Sequence, residues 1–209
     1  MKHPSSLLLA PLLSTAAILF LAGCQSDKGC SPRPTAEAQP APAVAAAAAA
    51  VAPAPNPALR IIRIKAGSTT PFTDADGNVW EADHGFADGD TAARDENLPI
   101  AGTKNPALYR SERYGMTAFS LPLANGKYTV KLHFAETYDA MNAPGLRVFS
   151  FNVAGHEFKD LDLFVKSGGL QHAYVESVPV DITGGRLDIK FTAGVENPEI
   201  NGIEIIPEP

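Results

Sequence analysis

An all-β domain, a two-sheet antiparallel sandwich, is what this sequence predicts, and three observations carry it. Short runs with period-two alternation recur along the second two-thirds of the chain, separated by Gly, Pro, Asn and Asp. No intervening stretch has the 3.6-residue apolar period of a core-facing helix. Asn125-Gly126 sits between two such runs, and Asn-Gly adopts the positive φ of a tight hairpin turn at little cost.

The strand signals follow in order. Ile61-Ile62-Arg63-Ile64-Lys65 opens the domain. Phe119-Ser120-Leu121-Pro122-Leu123 leads into the Ala124-Asn125-Gly126 turn, and Tyr128 to Phe134 returns with Val130, Leu132 and Phe134 on one face. Leu146–Val153, a turn at Ala154-Gly155-His156, and Tyr174–Ile182 come next. Gly184-Gly185 turns into Leu187–Phe191, and Asn201–Ile206 closes the pattern. Many short strands without helices between them call for two packed sheets. Residues 79–106 lack periodicity and read as a long acidic loop.

The N-terminal third has a different character. Lys2 and His3 precede an apolar run that ends in Leu21-Ala22-Gly23-Cys24, the pattern of a secretory signal over residues 1–23. The tetrapeptide resembles a bacterial lipobox. That resemblance implies cleavage before Cys24, acylation of its thiol (palmitate) and of the new amine, and stable membrane anchoring through more than one acyl chain. Gln25 resembles Gram-negative sorting patterns that favour the outer membrane, so the expected location is a bacterial cell envelope. Residues 24–57 form the tether; 31–57 are mostly Pro and Ala and offer no large side chains to offset the entropy of ordering. They read as a disordered tether, semi-stiff and able to reach about 80 Å when extended. Residues 58–209 are the folded domain.

Composition narrows the function classes. The chain holds 23 Asp and Glu against 17 Lys and Arg, a net charge of −6, and no basic cluster interleaves with aromatics. Nucleic acid is therefore not an expected partner. Both cysteines, Cys24 and Cys30, precede the domain, which excludes disulfides and thiolate metal sites within it. Asp74-Ala75-Asp76-Gly77-Asn78 has a calcium-loop look, but position twelve is Gly85 rather than a bidentate acid, so it reads as a tight turn. Neither a metal nor a cofactor is expected. There is no Gly-x-Ser-x-Gly elbow and no phosphate loop.

Parity singles out one strand end. In Phe134-Ala135-Glu136-Thr137-Tyr138, Glu136 and Tyr138 share the face of Val130, Leu132 and Phe134. An unpaired charge is costly in a core, so this face must reach the rim of the sandwich or Glu136 must pair with an arginine such as Arg113. Parity leaves the two open.

Three segments together resemble the malectin family of carbohydrate-binding domains. They are Ala107-Leu108-Tyr109-Arg110-Ser111-Glu112-Arg113-Tyr114, Leu132-His133-Phe134-Ala135-Glu136-Thr137-Tyr138, and Gly194-Val195-Glu196-Asn197-Pro198 followed by Ile200–Ile205. The resemblance covers roughly residues 60–207. It implies a jelly-roll-like sandwich of the galactose-binding type, a non-catalytic protein, and a di- or oligosaccharide as partner. It implies sugar contact for Tyr114 and Tyr138, and hydroxyl contact for the acid Glu196. It places Glu136 and Asp139 at the same rim, with Asp139 standing where eukaryotic malectins carry a second aromatic. Tyr109 is expected inside, and Glu112 and Arg113 are expected to fix the loop. The competing expectations are a scaffold or adhesion lipoprotein that contacts a protein of the cell envelope, and a glycoside hydrolase, which needs two opposed carboxylates.

Overall fold

The computed structural model describes residues 60–209. The signal segment, Cys24, Cys30 and the Pro/Ala tether lie outside the described residues. The first half of the domain contains β1 (Ile62–Lys65), β2 (Phe72–Thr73), β3 (Val79–Trp80), β4 (Phe86–Ala93), a 3-10 turn (Pro106–Arg110) and β5 (Ser111–Pro122). The second contains β6 (Gly126–Phe134), β7 (Val148–Val153), β8 (His156–Asp162), the single-turn helix α1 (Leu163–Ser167), β9 (Tyr174–Ile182), β10 (Arg186–Val195), β11 (Glu199–Ile200) and β12 (Gly202–Pro207).

Two antiparallel sheets form the layers. One has the order β1-β12-β6-β9; the other runs β11-β5-β10-β7-β8, with β4 paired to β5. Strand alternation gives each sheet one apolar face. Val130, Leu132 and Phe134 of β6 are fully buried, as are Ile203 and Ile205 of β12 beside them. Burying each such side chain stabilises the fold by about 1.5–3 kcal/mol. Phe119, Phe149, Phe151, Leu187 and Ile189 meet them from the second sheet. Phe134 joins the layers, its ring centroid 6.0 Å from Phe149 and 5.7 Å from Phe151.

A second cluster covers the other side of β6. There Trp80, Ile100, Leu108, Tyr109 and Ala135 pack together, and Trp80 meets His133 edge-on at 5.3 Å. Tyr109 is buried, as expected. Its Oη lies 3.0 Å from His133 Nδ1, and burial pushes its hydroxyl up to about 12. Asn201 ties this region to the sheets, its Nδ2 donating to the carbonyls of Tyr109 and Ser111.

Three expectations need correction. The stretch 79–106 is not one irregular loop; it contains β3 and the eight-residue β4. β4 escapes a pattern reading because it is an edge strand whose Asp88, Gly89 and Asp90 face water, so no apolar alternation marks it. β8 and α1 follow the 154–156 turn unannounced, since β8 buries little beyond Leu161. β5 begins at Ser111 rather than Phe119, so the Tyr109–Tyr114 motif straddles a 3-10 turn and a strand. Asp74 builds a tight turn: Oδ1 accepts from the backbone N–H groups of Asp76 and Asn78, and Oδ2 from Trp80 Nε1 at 3.0 Å.

Candidate functional site: a cleft over a buried ion-pair cluster

Tyr114, Tyr138 and Glu196 are distant in sequence, and the fold brings them to one cleft of about 270 Å³. Ala92, Arg94, Glu112 and Arg147 complete its lining. Tyr114 arrives on β5, which pairs with β4 on one side and β11 on the other. Tyr138 follows the end of β6, where the strand leaves the core, and it is 48 % exposed. Glu196 occupies the turn between β10 and β11 with φ +66°, a left-handed conformation that aims the turn away from the ladder. One Glu196 oxygen accepts from both the backbone N–H and the side-chain amide of Asn197.

The floor is ionic. Arg94 Nη2 donates to Glu112 Oε1 at 2.7 Å, and Arg94 Nε donates to Thr137 Oγ1 at 2.9 Å. The Thr137 hydroxyl in turn donates to Glu112 Oε2 at 2.7 Å, closing a ring of three side chains. Arg147 Nε donates to Glu136 Oε2 at 2.6 Å, and Arg147 Nη1 to the carbonyl of Asn197. The other Glu136 oxygen accepts from the Tyr138 backbone N–H. The floor therefore grips two parts of the rim, the Tyr138 loop and the turn after Glu196. Arg94 also lies 5.9 Å from the centroid of the Tyr138 ring.

Glu136 is a correction. It is 1 % exposed and both of its oxygens are engaged within the protein, so it supports the rim from beneath and does not meet a ligand. Its arginine is Arg147, because Arg113 is turned to Asp83 at 2.7 Å. Burial pushes the Glu136 carboxyl up, while Arg147 and the Tyr138 N–H pull it back. Asp139 is exposed and is not part of the cleft lining. Phe86 packs edge-on against Phe119 at 5.0 Å, and the β4 residue at the cleft is Ala92. Glu112 and Arg113 fix their loop by hydrogen bonds, as expected, although Glu112 also forms part of the cleft wall.

Sequence reading does not reach Arg94, Arg147 or Glu199. Glu199 is completely buried on β11, and neither of its carboxyl oxygens has a hydrogen-bond partner. Burial, reinforced by Glu112 and Glu136, pushes it well above the usual carboxylate range, against the pull of Arg147 and Arg94. Glu199 is thus a third carboxyl group in a floor that holds two arginines. Its parity on a two-residue strand gives no sequence signal.

Comparison with known proteins agrees with this architecture. The family model for the malectin domain matches residues 60–203. The kinesin-like protein KIN-14E of Oryza sativa subsp. japonica is 29 % identical over 146 residues, which covers 66 % of this chain and 13 % of that one. A probable leucine-rich repeat receptor-like serine/threonine-protein kinase of Arabidopsis thaliana is 30 % identical over 115 residues, 47 % of this chain and 11 % of that one. The chain thus spans only a small part of these relatives. Among solved structures, a β-glucuronidase of Bacteroides uniformis superposes with TM-score 0.65 at 18 % identity, over 72 % of this chain and 18 % of that one. The plant receptor-like kinase FER does so with TM-score 0.60 at 22 % identity, over 72 % and 42 %. At such identities the structural likeness shows the fold. Because the family model covers well over half of its length, the chain belongs to the malectin domain family.

Proposed function

We propose that the domain is a non-catalytic carbohydrate-binding module that takes a di- or oligosaccharide in the Tyr114–Tyr138–Glu196 cleft. One observation carries this reading: Tyr114, Tyr138 and Glu196, far apart in sequence, line a single cleft. Two aromatic side chains supply apolar faces, and Glu196 supplies an acceptor for hydroxyl protons. Few polar groups around an apolar wall are the usual makeup of a small-ligand site. The state of the carboxylates supports binding over hydrolysis. Glu112 and Glu136 are committed to Arg94 and Arg147, which leaves Glu196 without an opposed, unpaired acid. Because Asp139 stands in place of an aromatic, the stacking surface is thin and affinity is weak. Tens of micromolar, about 6 kcal/mol, is the expected scale.

The domain is presented at a bacterial cell surface on the Pro/Ala tether, through lipid at Cys24. This part of the reading rests on Leu21-Ala22-Gly23-Cys24 and the composition of residues 24–57.

A glycan array followed by calorimetry with gluco-oligosaccharides tests the site. Tyr138→Ala should weaken binding at least tenfold while the domain stays folded. Equal binding by wild type and Tyr138→Ala would refute the residue assignment. A second reading, a protein partner in the cell envelope, draws on the exposed apolar side chains beside the lining residues: Leu146 next to Arg147 and Val195 next to Glu196, 39 % and 53 % exposed. It becomes the better one when no glycan binds at millimolar concentration.

A further inference from the structure

Lys65 and Arg110 break a rule that the rest of the domain keeps. Every other buried or half-buried arginine or lysine has a carboxylate within 3.6 Å: Arg63 and Lys131 on Glu204, Arg94 on Glu112, Arg113 on Asp83, and Arg147 on Glu136. Half-buried Lys65 has none among the described residues, and its Nζ rests over the Phe72 ring at 4.5 Å. Half-buried Arg110 donates Nε to the Leu98 carbonyl at 2.9 Å, and its terminal nitrogens have no partner among the described residues. The two are close enough to disfavour each other. Burial holds the Lys65 amine below its usual range, and Arg110 pushes it the same way. Partly desolvated like charges side by side are an electrostatic cost that this acidic chain, with 23 carboxylates, leaves unrelieved.

Both cations line one cavity of about 350 Å³. Ser68 and Thr69 are in its wall, and the Thr69 hydroxyl makes no hydrogen bond among the described residues. Glu96 is the one acid in the lining; it is exposed and pairs with neither cation. Arg94 belongs to the wall of this cavity and to the wall of the aromatic cleft, so the two are neighbours that share a side chain. A guanidinium fork and an ammonium point charge, with a hydroxyl donor nearby, suit an oxyanion.

We propose that this cavity is a second subsite, which takes an oxyanion substituent, a carboxylate or a sulfate ester, of a saccharide whose neutral ring lies in the aromatic cleft beyond Arg94. The inference rests on the saccharide reading of that cleft, and it turns the ligand from a neutral sugar into an acidic one.

Calorimetry on the full chain at low ionic strength tests it with three disaccharides of matched skeleton: neutral, hexuronate-bearing and sulfated. At least one acidic sugar should bind tenfold or more tighter than the neutral one, and added salt should erode the difference. The two acidic arms separate carboxylate from sulfate recognition. Lys65→Gln and Arg110→Gln should each reduce the preference at least fivefold with the neutral sugar unaffected, while Lys65→Arg keeps it. Without ligand, Lys65→Gln should melt at the same temperature or higher, because it relieves repulsion; a merely structural lysine would lower it. Equal affinity for acidic and neutral sugars, or a preference that survives both glutamine variants, overturns the subsite and leaves the cleft reading standing. Failure of all three sugars to bind overturns both.

Discussion

Glu199 lies directly opposite Tyr114 in the antiparallel ladder of β11 and β5. Cross-strand partners share a face of the sheet, so an aromatic of the cleft wall has a fully buried carboxyl group as its neighbour. The cleft is thus built on a polar foundation whose protonation matters to its shape.

The sign of that dependence is fixed by the direction of the shift. Burial raises the Glu199 carboxyl well above its ordinary value of 4.5, so the folded state favours the protonated form. Its stability contribution is complete below pH 4.5 and is lost as pH rises through the folded-state value. Glu199→Gln, which keeps the shape and stays neutral, should flatten the alkaline decline in melting temperature. Thermal melts of wild type and variant from pH 4 to 9 check this, and parallel curves would sink it.

His133 works in the opposite direction. Burial and then Lys131 hold it down at about 4, so it is neutral in the fold and must be protonated for the chain to gain from unfolding in acid. Its contribution is present above pH 6.5 and lost as pH falls through about 4. His133→Phe keeps a ring against Trp80 and should remove the acid limb between those values. Melts in that window test it, with Glu199→Gln as the background in which the two trends do not overlap.

The Glu136–Arg147 pair should be costly to break from either side. Arg147→Met or Glu136→Ala leaves a buried charge unpaired, at about 3–5 kcal/mol. Denaturant unfolding should show the double variant to be less destabilised than the sum of the two singles. Both singles should also weaken ligand binding, Glu136→Ala by removing the acceptor of the Tyr138 N–H and Arg147→Met by releasing the Asn197 carbonyl next to Glu196.

Gly89 admits no side chain. It has φ +75°, and a Cβ there would lie 2.4 Å from the Tyr114 carbonyl oxygen and 2.6 Å from the Met116 nitrogen. Gly89→Ala should cost roughly 3 kcal/mol. It should also displace the strand that carries Tyr114, read as lost stability and lost affinity in the same titrations.

Anchoring is tested separately from the domain. Cys24→Ala should release the protein from membranes or leave it unprocessed. Unchanged acylation and fractionation of the variant would remove the lipid assignment.

The strands that were legible are those with one dry face and one wet face. Tyr174–Ile182 is found at its observed bounds because Val178, Val180 and Ile182 alternate with exposed residues. β4 was illegible because an exposed edge strand carries Asp and Gly where a central strand carries Val. At the site, Tyr114, Tyr138 and Glu196 were nameable because a family motif marks them. Arg94 and Arg147 were not, because an ion pair depends on which segments meet in space. Arg94 reaches Glu112 across the β4–β5 pair, and Arg147 reaches Glu136 across a loop. Parity put Glu136 and Tyr138 on one face, but β6 ends at Phe134, so strand alternation no longer governs them and Glu136 is buried while Tyr138 is exposed.

The position of β12 governs whether the four-stranded sheet can form. Residues 202–207 lie between β1 and β6, hydrogen-bonded on both sides, and supply the fully buried Ile203 and Ile205. Without those residues β1 has no partner in its sheet and β6 has only β9. Losing β12 would leave an open edge on each neighbour and bare the apolar face it helps to fill, so the four-stranded sheet hangs on a strand about 140 residues from β1 in sequence.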